Sequence, residues 1–256
     1  MAPAAIDQEW LERLCRRTDD ILWDGYHYTL GVPDAPWPRV VFPPKGHERR
    51  VGEQEARFAF VAALLGDPAS APWAFAAEAP TRLSYRFAQR AAGPRAQRAL
   101  TDLALYRDDD ETPALAVEFK SGGRSGKSEQ DESIKKDMAK VLAEQPPALW
   151  FHVVRDVNDA TLQGLLRTLD GAISLLSNPY KLGAYLAPGK APEARAKTIA
   201  FHVCVLNPDV TASLHRVLDY VPGKPKDEFF TLETTVTGAS LEIADGQGWS
   251  VYRPES

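Results

Sequence analysis

Cysteine is scarce in this 256-residue chain, with only Cys15 and Cys204 present. They lie far apart and form no CxxC pair and no metal-ligand spacing, so the sequence is expected to belong to a reduced, cytoplasmic protein. Long apolar runs are missing too. Nothing approaches the roughly 20 consecutive apolar residues that cross a bilayer, so no membrane partner is expected. The start, MAPAAIDQEWLERL, has no basic segment followed by an apolar run, and no signal peptide is expected from it. A surplus of basic charge is also lacking. The net charge of −5 counts against a protein that coats nucleic acid without specificity, because phosphate contacts need clustered Lys and Arg. There is no internal repeat of useful length and no low-complexity tract.

What is present suits one globular unit. Hydrophobic residues make up 44% of the chain, enough for a sizeable core. The charge is unevenly spread: between Thr81 and Arg107 stand six arginines and a single acid, Asp102. Read alone, that stretch is as readily a solvated face as a phosphate-binding one.

Asp7 caps an expected helix through QEWLERLCRRTDDILW, with Trp10, Leu11, Leu14 and Ile21 as its apolar stripe. Residues 32–46 hold five prolines and read as an extended connector. A second helix is expected from Gly52 through EQEARFAFVAALL. Strands are expected at 76–87, 100–107 and 114–120, the last two forming a hairpin around Asp108–Glu111 and Pro113. A Gly/Ser loop, SGGRSGKS, then leads to a helix, ESIKKDMAKVLAEQ, stopped by Pro146 and Pro147. The strand ALWFHVV, the helix ATLQGLLRTLDGAISLL and a strand at 198–206 follow. EFFTLETTVT, ASLEIA and GWSVY read as short antiparallel strands. The expected fold class is α/β, a mixed α+β sheet with helices on its faces. Its parts are an N-terminal helix and connector (1–50), a core (51–206) and a β-rich extension packed on the core (207–256).

Side chains alternate between the faces of a strand. In Ala116-Val117-Glu118-Phe119-Lys120, Glu118 and Lys120 therefore share one face, while Val117 and Phe119 point to packing. A charge beside so apolar a strand is costly unless it is paired or binds a metal. Antiparallel pairing across the hairpin brings Asp102 toward Glu118. Two carboxylates near a backbone carbonyl, that of Phe119, suit Mg²⁺, which takes oxygen ligands and keeps several waters. A lysine beside them can position water or stabilise charge developing on a phosphate. A further carboxylate can come from the second helix, either Glu53 or Glu55. Glu55 is favoured because it shares a helix face with Phe58, Ala59 and Ala62.

Asp102, a hairpin, then Glu118-Phe119-Lys120, set in an α-β-β-β-α-β order from Glu53 to Val154, resembles the PD-(D/E)XK nuclease superfamily, whose fold is restriction-endonuclease-like. The resemblance covers roughly residues 50–155, and it departs from the motif in having Thr101 where the family name has proline. It implies that Asp102 and Glu118 bind Mg²⁺ or Mn²⁺ and that Lys120 is catalytic, with a helix glutamate, Glu55 or Glu53, assisting. It also implies a substrate, nucleic acid and in particular DNA, cut as by an endonuclease. The settings it implies are restriction or anti-phage defence, as a homodimer or as a subunit of a larger complex. The competing readings are a catalytically silent nuclease fold that binds nucleic acid or protein, and an interaction protein in which the motif arose by chance.

Arg98, Arg124, Lys127 and Lys136 are the candidate phosphate contacts, each weighed against an exposed, salt-bridged surface charge. The GKS at Gly126–Ser128 is not a P-loop, because Ser121 stands where the first glycine is required. His152 and His202, in WFHVV and AFHVC, are expected to be satisfied core residues rather than ligands.

Overall fold

The structure, a computed structural model, describes residues 6–45, 48–49, 51–86, 96–107, 111–122, 128–144, 146–187, 197–208, 210–220 and 249–253. The strands expected in EFFTLETTVT and ASLEIA, the centre of the hairpin turn and the loop residues Arg124 and Lys127 lie outside the described residues.

Helix α1 (Gln8–Leu30) opens the chain, followed by a two-residue hairpin, β1 (Pro44–Lys45) and β2 (Glu48–Arg49), and by α2 (Glu53–Leu65). Strands β3 (Trp73–Arg86), β4 (Ala96–Arg107) and β5 (Leu115–Ser121) come next, then α3 (Ser128–Ala143) and β6 (Ala148–Arg155). The remaining elements are α4 (Asp159–Leu176), α5 (Pro179–Tyr185), β7 (Lys197–Leu206), β8 (Thr211–Tyr220) and β9 (Ser250–Tyr252). The seven strands β3 to β9 form one sheet in sequential order. β5–β6 and β6–β7 pair parallel, and every other neighbouring pair is antiparallel. The sheet is therefore a mixed α/β one, and it runs on past residue 206 through β8 and β9. No helix among the described residues is long and apolar enough to cross a membrane.

Each face of the sheet carries its own core. On one, Leu103, Val117, Phe119, Phe151 and Cys204 meet α1 and α2. On the other, Trp150, Val154, Phe201 and Val203 meet α3 and α4. β6 shows why the middle must be double-sided: Ala148 through Val154 are all buried, as a parallel strand covered by helices on both faces requires.

Local chemistry sets the helix ends. Asp7 Oδ1 accepts the Glu9 and Trp10 amides at 3.0 and 3.2 Å, and Gly31 closes α1 in the left-handed region at φ 70°. α1 runs past Trp23, where the sequence reading ended it, because Gly25 sits inside the helix for a packing reason. A Cβ there would lie 2.7 Å from the Val40 carbonyl oxygen, so only glycine admits the connector against the helix. α2 is seated by aromatic packing. Phe60 meets Phe119 edge-on at a centroid distance of 5.6 Å and Phe151 at 6.4 Å. Such pairs contribute about 0.5–1.5 kcal/mol each beyond area burial. This packing places the first turn of α2 at the open end of β5.

β3 is the edge strand, where Pro80 is tolerated, and its register with β4 shifts between Pro80 and Ser84. The shift leaves amides without ladder partners. Glu144, just past α3, takes them: it accepts the Arg82 and Leu83 amides at 3.0 Å each and the Tyr85 hydroxyl at 2.8 Å.

Candidate functional site

The site lies where β4 and β5 part. Leu103 pairs with Val117, and one step further along the two strands come Asp102 and Glu118. There the ladder gives way to a side chain, and Asp102 Oδ2 accepts the Phe119 amide at 2.8 Å. Asp102 Oδ1 meets the Arg57 guanidinium of α2 at 3.4 Å. Arg57 also reaches Glu78 at 3.7 Å. Glu78 adopts φ 53°, a conformation rare for a non-glycine residue and one that concentrates at functional sites.

Glu118 is 1% exposed. The Lys140 ammonium of α3 lies 2.8 Å from each of its carboxylate oxygens and donates to the Leu100 carbonyl at 2.7 Å. Burial pushes the Glu118 carboxyl up to about 8; Lys140 counters this, and Asp102 adds to it. Lys120, two residues on and on the same face, is held by Asp137 at 3.0 Å and by Glu53 at 3.5 Å. Burial works against its charge, but Asp137 and Glu53 outweigh it and raise its pKa above the usual lysine range. Lys120 is therefore a fixed cation at neutral pH. His152, paired with Lys120 across β5–β6, has its Nε2 at 2.7 Å from the Gly122 carbonyl. Burial brings its pKa down to about 4, with Lys120 adding to the effect, so it is neutral.

The structure thus brings Asp102, Glu118 and Lys120 together on neighbouring segments of one sheet face. It divides the two α2 glutamates differently from the expectation. Glu55 Oε2 accepts the Gly52 amide at 2.7 Å and so caps its own helix, whereas Glu53 is the one that reaches Lys120. Arg98 is exposed on β4, and Lys136 is exposed on α3.

Three participants were not anticipated: Arg57, Asp137 and Lys140. The last two had a signal. Asp137, Lys140 and Glu144 stand at i, i+3 and i+7 along one rim of the apolar face of α3 formed by Ile134, Met138 and Val141. Three charged residues beside buried apolar ones need partners inside. Each finds one: Lys120, Glu118 and the β3 backbone in turn.

The donor set fits a hard divalent cation. Asp102 and Glu118 offer carboxylate oxygens from adjacent strand positions, and the Glu118 pocket already stabilises a positive charge, the Lys140 ammonium. A scan against protein-family models finds no match for this chain, and a search of curated proteins finds no relative, so the functional argument stands on these residues.

Proposed function

We propose that the chain is a Mg²⁺-dependent nuclease that hydrolyses phosphodiester bonds of DNA. The observation that carries this reading is the convergence of Asp102, Glu118 and Lys120 at the parting of β4 and β5, with Glu118 buried in a pocket that already holds a cation, the Lys140 ammonium. Asp102, Glu118 and the Phe119 carbonyl would hold the metal. When bound, it would neutralise charge on the phosphate and lower the pKa of water. The protein's own contribution is electrostatic and positional. Lys120, kept protonated by Asp137 and Glu53, is a donor and cannot serve as a base; it orients the attacking water and steadies the phosphate oxygens. Attack forms one P–O bond and breaks the P–O3′ bond, and the departing 3′-oxygen takes its proton from solvent water. Glu53, partly exposed beside Lys120, is placed to receive the proton released by the water. The test is cleavage of labelled DNA with and without Mg²⁺. Asp102→Asn is expected to abolish it, and undiminished cutting by that variant would refute the assignment.

One observation favours a second reading. Lys140 already satisfies Glu118 at 2.8 Å, and a lysine so placed can replace a metal permanently, leaving a silent nuclease fold that binds nucleic acid or protein. Calorimetric titration with Mg²⁺ separates the two. Metal-linked heat that is lost in Glu118→Gln supports the enzyme, and no heat with DNA binding intact supports the silent fold.

A further inference from the structure

On the opposite face of the sheet, under α1, lies a cluster that the nuclease reading does not use. Cys15 of α1, His202 of β7 and His215 of β8 are buried at 0%, 0% and 4% exposure. One ligand atom from each lies within 4.8 Å of the others, the sole such trio of Cys, His, Asp and Glu among the described residues. His202 and His215 are register partners on adjacent antiparallel strands, and their Nδ1 atoms face each other at 3.1 Å. Two imidazole nitrogens bound to one tetrahedral zinc, at about 2.0–2.1 Å each, sit about 3.4 Å apart.

The surroundings complete the case. Asp19, itself 0% exposed, places Oδ2 at 2.6 Å from His202 Nε2. A carboxylate there fixes the Nε2–H tautomer and leaves the Nδ1 lone pair facing His215, the carboxylate–histidine arrangement that orients metal-bound imidazoles. The hydroxyl of Ser213, two residues from His215 on the same face of β8, is buried without a hydrogen-bond partner, while Asp19 also takes a hydrogen bond from the Cys204 thiol. Charge also balances: a divalent cation, the Cys15 thiolate and the Asp19 carboxylate sum to zero, as a dry interior requires.

We propose that Cys15, His202 and His215 supply three of the four ligands of a buried zinc ion, a water completing the tetrahedron, with Asp19 as the positioning residue for His202. The sulfur–nitrogen donor set selects zinc over the hard cation of the nuclease site. The site ties α1 to β7 and β8, and it stands independently of the nuclease reading because it lies across the sheet from Glu118. Sequence spacing hides it, because the three ligands come from three elements; His202 is the buried, partnered core residue that was expected, and the proposal adds a ligand role to it.

The test uses the full chain expressed with zinc and purified without chelators or a metal-affinity tag. Elemental analysis is expected to find one equivalent of zinc per chain, removed by a strong chelator with a fall in Tm. Cobalt reconstitution is expected to give a thiolate-to-metal charge-transfer band that Cys15→Ser loses and Cys204→Ser keeps. A chain with only trace zinc that also takes up no cobalt overturns the proposal. So does a cobalt spectrum without a sulfur band, or one that Cys204→Ser abolishes instead. If Cys15→Ser does not fold, the wild-type metal content and spectrum decide the matter.

Discussion

Replacing Glu118 by glutamine keeps the size of the side chain and removes its titration. In the folded chain the carboxyl titrates near 8, against 4.5 for an ordinary glutamate. Between those values the native state holds a proton that the unfolded state has released, so wild-type stability falls as pH rises from 4.5 to 8. Each pH unit is worth about 1.4 kcal/mol. By pH 7 the burden is about 3 kcal/mol, and it levels off above 8. Glu118→Gln carries none of it. The variant also strips Lys140 of its partner, but that cost changes little across this window, because Lys140 keeps the Leu100 carbonyl and Asp137. The slope is therefore cleaner evidence than the absolute value. Urea unfolding of both proteins at pH 5, 6, 7, 8 and 9 measures it. The stability of the variant relative to wild type should climb by about 3 kcal/mol or more from pH 5 to pH 8 and then flatten. A difference that does not vary with pH would refute the claim that burial governs Glu118.

Other consequences are as specific. Metal binding at Glu118 at pH 7 should release a proton, read as buffer-dependent heat in calorimetry; zero release contradicts the raised carboxyl. Glu55→Ala should cost about 1 kcal/mol through the lost helix cap while cutting persists, whereas Glu53→Gln should spare stability and slow cutting; the reverse pattern would return Glu55 to the site. Glu144→Ala should destabilise by about 2–4 kcal/mol, because it leaves two amides unpaired at the β3 bulge and the Tyr85 hydroxyl with only the Lys140 carbonyl at 3.3 Å. A loss below 1 kcal/mol in chemical unfolding would show that those groups find other partners.

The readable and unreadable parts of the chain divide along physical lines. α2 matched its expected limits because Gly52, the run EQEARFAFVAALL and Gly66 mark both ends locally. β5 and β6 were plain in their apolar runs. The expected end of α1 at Trp23 falls short of Leu30, and the reason for the glycine just beyond it, a connector passing at Val40, is a tertiary fact. Asn178-Pro179 ends α4 as expected but also starts α5, with the Asn178 side chain capping Tyr180, which made the second helix invisible. β8 carries His215, Arg216 and Asp219, a polar content that masks a strand in the sequence, although His215 and Asp219 find partners on β7. The same limit applies at the site. Alternation along a strand places Glu118 and Lys120 together without any knowledge of the fold. Arg57, Asp137 and Lys140 come from helices whose rotation about their axes is set by packing, which no local pattern states. Lys136, the expected phosphate contact, is exposed, and the lysine one turn further, Lys140, is the buried one.

The measurement closest to the centre of the account is DNA cleavage by the purified chain in Mg²⁺, compared between wild type and Lys120→Met. Lys120 is the residue that the nuclease reading needs and a plain structural ion pair does not. Metal-dependent cutting by the wild type, reduced at least about 100-fold in the variant while both proteins remain folded, is the predicted result. An equal rate in the two proteins would contradict it.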